Sequence, residues 1–214
     1  PVIFAPSLLL QLLLAKITGH PHPQQQSIAH LSKMLVYKCM FTDDELMSDS
    51  YKIKDIVDED GEVVPGLFGV ESKIVAVGGG DIDIGCGNAF GGDDDAGGDD
   101  GVEKENNIIS ESAGFGLTEM PFNSKAEFKA FLKDYVRKVR SEMKSNGVPQ
   151  EEIKQMMNEA PIFVKYLLSQ YSELQFYVGR SMDPEGTMIF ARFYGEDLTP
   201  TFVYIKAGLK QEKF

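Results

Sequence analysis

The sequence predicts a single α+β domain over residues 34–214, with strands before and after a helical hairpin. Three observations carry this. Strand-like apolar segments flank the middle of the chain, at residues 35–38 and 201–205. A three- and four-residue apolar spacing takes over between Ser124 and Leu168. With 214 residues, 43% of them hydrophobic and 25% charged, the chain can bury one substantial core.

Residues 1–33 stand outside this domain. Their apolar run, 2–15, is interrupted by Pro6 and Gln11 and is too short to span a bilayer. Its length suits a signal-peptide core, yet no basic residue precedes it and no small-residue cleavage site follows. Two readings stand: a targeting segment, or a processed or artefactual extension before a natural start at Met34.

From Met34 the elements follow in order. Residues 35–38 predict a strand, and Thr42-Asp43-Asp44-Glu45 an acidic turn. Residues 51–57 and 72–77 predict further strands. Between Gly78 and Gly101 the composition turns to Gly and Asp, so a mobile acidic loop is expected over about 78–118. A helical hairpin is expected over about 123–171. Its first helix has Phe128, Phe131, Leu132, Tyr135, Val136, Val139 and Met143 on one face, with Ser124 and Glu127 as a capping box. Gly147 stops it and Pro149 opens a second helix. There Ile153, Met156, Met157, Ala160, Val164, Leu167 and Leu168 form the stripe, with a kink expected at Pro161. Strands return at 174–178, 187–194 and 201–205, joined by turns at 183–186 and 195–197.

Charge and composition exclude several function classes. Setting aside Lys16 and Lys33, the only charged residues before Met34, leaves 19 basic against 33 acidic residues and a net charge of −14. Such a body does not track nucleic-acid phosphates. His20, His22 and His30 all precede Met34, so no histidine-based catalytic unit or metal site assembles within 34–214. Cys39 and Cys86 are too few for a disulfide framework or a structural zinc site; they fit a reducing compartment, with a single disulfide left open.

The motifs are partial. The glycines after residues 74–77 do not make a nucleotide loop, because Asp83 and Phe90 stand where glycines are required and no Gly-Lys-Ser/Thr occurs. Asp93, Asp95 and Gly98 match three positions of an EF-hand loop, but Gly97 and Lys104 occupy liganding positions. Weak calcium association is therefore the expectation for the carboxylates Asp93, Asp95 and Asp99. On a strand, Glu173 and Gln175 would face the same way and add two oxygens, although Arg192 is expected nearby. The first helix carries Lys125, Lys129, Lys133, Arg137, Arg140 and Lys144 along one edge, a cationic strip suited to steering an acidic partner.

Met34-Leu35-Val36-Tyr37-Lys38, the run Thr42 to Tyr51, Gly87-Asn88-Ala89 and Phe131-Leu132-Lys133-Asp134-Tyr135 together resemble the translationally controlled tumour protein family. So do Leu174 to Gly179, Leu198-Thr199-Pro200 and Tyr204 to Leu209. The likeness covers residues 34–214. It implies a twisted β-tent core like that of Mss4-type proteins, with a protruding helical hairpin and a flexible acidic loop.

It further implies a non-enzymatic, cytoplasmic, monomeric protein, with non-classical release as an added expectation. Calcium binding, tubulin and microtubule association, growth and anti-apoptotic roles belong to the same implication. The alternative it carries is nucleotide exchange on a small GTPase through the face around Glu45. Arg180 departs from the family pattern there, replacing a Glu and reversing the charge. No zinc, nucleotide cofactor or membrane span is expected.

Overall fold

A computed structural model describes residues 34–77 and 103–214. Three antiparallel sheets organise them. The largest has six strands in the order β3-β4-β10-β9-β8-β7: β3 (Ile53–Lys54), β4 (Leu67–Glu71), β7 (Thr118–Glu119), β8 (Gln175–Val178), β9 (Ile189–Arg192) and β10 (Thr201–Ile205). A three-stranded sheet places β1 (Leu35–Cys39) between β11 (Leu209–Lys213) and β2 (Glu45–Ser48). A separate pair joins β5 (Ile74–Val77) to β6 (Glu103–Asn106). The helices are α1 (Lys125–Ser145) and α2 (Gln150–Ser169).

Strand alternation explains the layering. Phe176, Val178, Phe190, Val203 and Ile205 pack with the helical hairpin, whereas Tyr177, Ile189, Ala191, Phe202 and Tyr204 pack with Cys39, Leu46 and Met47 of the three-stranded sheet. The central strands of the six-stranded sheet, β4, β10, β9 and β8, are thus covered on both faces. This is why β4, whose Leu67, Phe68, Gly69 and Val70 are all buried, shows no polar alternation and is missing from the sequence reading. Residues 51–57 yield only two strand residues and a bridge from Val57 to Val63.

The expectation of a mobile loop through residue 118 is corrected at its C-terminal end. Residues 103–118 form β6 and a tight turn that buries Ile108 and Leu117. The Asn106 side chain accepts from the Ile108 amide at 2.9 Å and donates to Ser72 at 2.8 Å. Polar turn residues disguised a packed segment as loop.

Helix α1 follows the predicted period. Ser124 accepts the Glu127 amide at 3.2 Å, while the Glu127 carboxylate reaches back to the Asn123 amide at 3.0 Å, one residue before the expected partner. Gly147, at φ +69°, closes α1 in the left-handed region that glycine tolerates. Helix α2 runs from Gln150 to Ser169 with Pro161 inside it. Its buried face includes Phe163 and Tyr166, rotated from the predicted stripe, so that Met157, Val164 and Leu168 are only half-buried. Phe128 anchors the hairpin to the sheet, with ring centroids 5.0 Å from Phe176 and 5.8 Å from Phe190.

Candidate functional site

The buried stripe of α1 fixes where its charges go. With Phe128, Leu132, Tyr135, Val139 and Met143 turned inward, Lys129, Lys133, Arg137, Arg140 and Lys144 remain exposed. Four of them, Lys129, Lys133, Arg137 and Arg140, border an open groove of about 470 Å³ between the two helices. Its apolar lining comes from Leu132 and Val136 of α1 and from Met157, Ala160, Pro161 and Val164 of α2. Arg137 donates to Asp134 at 2.8 Å, but both side chains are 68% exposed, so this pair is weak. The half-burial of Met157 and Val164, unexplained by a simple helical stripe, is what supplies an apolar floor beneath the cationic rim.

A second candidate surface surrounds Glu45. Glu45 is exposed at the start of β2 and lies 3.6 Å from Lys38, whose ammonium also contacts Glu212 at 2.6 Å. The hydrogen bond to Glu212 holds the Lys38 ammonium above its ordinary value. Arg180 follows β8 and donates to the Glu111 carbonyl at 3.3 Å, its guanidinium lying against Gly116. Asp44 joins the two segments, accepting from the Ser181 amide at 3.2 Å and from its hydroxyl. Sequence reasoning missed Asp44. Its partner Ser181 is 137 residues away, and no local pattern signals that contact.

The expected oxygen pair of Glu173 and Gln175 does not form. Residues Tyr171–Glu173 are a 3-10 turn, not strand, so the alternation argument fails there. Glu173 accepts from Arg192 Nε at 2.8 Å, and Arg192 also donates to the Tyr166 hydroxyl at 3.3 Å on the helix side of the sheet. Gln175 instead accepts from the Tyr177 hydroxyl at 3.4 Å, and Tyr177 packs toward the three-stranded sheet. The pair is split between opposite faces, and the carboxylate is already neutralised by a cation.

Among the described residues, no three His, Cys, Asp or Glu side chains converge as a metal site would require. Asp93, Asp95, Asp99 and Cys86 lie outside the described residues. No described helix is long and apolar enough to cross a membrane.

Comparison with known proteins decides the family. The model for translationally controlled tumour protein matches residues 34–210. The chain belongs to the translationally controlled tumour protein family. A translationally controlled tumour protein homologue from Neurospora crassa is 34% identical over 181 residues, covering 84% of this chain and 99% of the relative. The homologue from Saccharomyces cerevisiae is 31% identical with the same coverage. Among solved structures, the translationally controlled tumour-associated protein p23fyp from Schizosaccharomyces pombe aligns with a TM-score of 0.61 at 30% identity, over 84% of this chain and 99% of that one. The Caenorhabditis elegans translationally controlled tumour protein aligns at 0.54 with 26% identity, over 84% of this chain and 98% of its own. The translationally controlled tumour protein match begins at Met34, the first residue of the predicted domain.

Proposed function

We propose that this chain is a non-enzymatic regulatory binding protein that docks acidic protein surfaces, the microtubule lattice foremost, through the cationic groove of its helical hairpin. One observation carries the reading. On a body of net charge −14, four exposed cations border a single apolar groove. Segregation of this kind steers a negative partner while the acidic remainder repels it elsewhere, which fixes the orientation of docking. The groove lining then gives the encounter apolar area to bury.

Microtubule co-sedimentation tests this. A variant with Lys133, Arg137 and Lys144 replaced by Gln is expected to lose most of its pelleted fraction at about 0.15 M salt. Undiminished pelleting of a folded triple variant would rule the reading out.

Exchange activity on a small GTPase is a second reading. It is favoured by Asp44, which ties the Glu45 strand to the Arg180 turn and so holds both segments on one surface. Loss of nucleotide release on Glu45→Ala, with microtubule binding intact, would establish this surface as a separate site. Calcium association belongs, in this proposal, to the carboxylates Asp93, Asp95 and Asp99. An amide-shift titration with magnesium as control distinguishes selective binding from charge screening. A cytoplasmic setting and growth-related roles accompany the same proposal.

A further inference from the structure

We infer that the hairpin groove takes an acidic amphipathic helix rather than an extended acidic tail. This rests on the reading of the hairpin as a docking surface and specifies the partner's chemistry. An unstructured polyanion would satisfy the rim while leaving the half-buried Val136, Met157 and Val164 in contact with water. A helix with one apolar face covers that floor and brings carboxylates to the rim in the same act.

The spacing of the rim supports this occupant. Lys129, Lys133, Arg137 and Arg140 are four, four and three residues apart on a regular helix, spanning about 16 Å at the helical rise. Carboxylates repeating every three or four residues on a partner helix reproduce that interval, whereas an extended strand places alternate side chains about 7 Å apart. The rim is also one-sided: all four cations belong to α1, and the groove residues of α2 are Met157, Ala160, Pro161 and Val164. A ligand matched to this arrangement has its acids along one flank of its apolar stripe. The two walls are helices of 21 and 20 residues, long enough to line a third helix laid between them.

Three synthetic peptides of about 18 residues, roughly five helical turns, test the inference by fluorescence anisotropy with the full chain. One has Leu at i, i+3, i+4 and i+7 with Glu along one flank, the second scrambles the same composition, and the third is polyglutamate. The patterned peptide is expected to bind at least about tenfold more tightly than the other two and to gain helicity on binding. Val136→Gln and Val164→Gln, one from each wall, are each expected to remove that advantage without changing the net charge. Thermal melts establish that both variants fold.

Equal binding by all three peptides, or a patterned-peptide advantage that survives both Gln variants, would overturn the inference. Binding by no peptide, alongside microtubule pelleting that still depends on Lys133 and Arg137, would also remove the inference but leave the proposed function standing. Pelleting that ignores the rim would remove the proposed function itself.

Discussion

Asp44 occupies the space that a side chain at Gly179 would need: a Cβ there would lie 2.5 Å from the Asp44 carboxylate. The carboxylate stays in place because Ser181 donates its amide to it and Thr42 its hydroxyl at 2.8 Å. Gly179→Ala is therefore expected to destabilise the fold by about 1–3 kcal/mol through overcrowding. Asp44→Ala alone should cost about 1–2 kcal/mol from lost hydrogen bonds. The double variant should cost less than the sum, because removing Asp44 makes room for the added methyl. A double-mutant cycle by urea unfolding measures this, and strict additivity would mean that the two residues do not share the space.

The cap of α1 gives a local prediction. Ser124→Ala removes the acceptor for the Glu127 amide and should cost about 1 kcal/mol. Ser124→Asp should restore most of it. Chemical denaturation at neutral pH resolves the difference.

Phe128 carries the docking of the hairpin on the sheet. It is fully buried and meets Phe122, Phe176, Phe190 and Tyr171 with ring centroids 5.0–5.8 Å away. Phe128→Ala should cost about 3–5 kcal/mol and weaken the near-ultraviolet aromatic signal. A loss below about 1 kcal/mol would mean that the site collapses around the cavity.

Alkaline pH should weaken the fold through Tyr204 and Tyr135. Burial raises both phenols above their ordinary 10.0. The unfolded chain releases these protons near pH 10 while the native chain keeps them, so stability is retained below that point and falls as pH rises beyond it. Tyr204 donates to the Leu46 carbonyl at 3.0 Å, so Tyr204→Phe should cost about 1–2 kcal/mol at pH 7. Its stability should then fall less steeply with pH than that of the parent. Identical slopes from pH 9 to 11 would contradict the assignment.

The sequence made legible what is periodic or locally capped: α1 and its basic edge, the Ser124 cap, the Gly147 stop and strand β10, whose predicted bounds are those observed. It obscured what depends on distant packing. Leu67–Glu71 lacks alternation because both faces of β4 are covered, and the polar strand Leu209–Lys213 owes its form to pairing with β1. The basic edge of the candidate site was readable from residue spacing alone. The groove beneath it was not, because it arises from the rotation that sends Phe163 and Tyr166 inward and leaves Met157 and Val164 half-buried. Glu173 and Gln175 failed as a pair for a similar reason: one residue sits in a turn and the other in a strand.

Methyl NMR of the full chain titrated with soluble tubulin reports where an acidic partner seats. Docking in the groove should give saturable perturbation concentrated at Leu132, Val136, Met157 and Val164, weakening with added salt as the rim is screened. Perturbation centred on Leu46 and Met47 beside Glu45, with the hairpin methyls unchanged, would place the docking surface elsewhere.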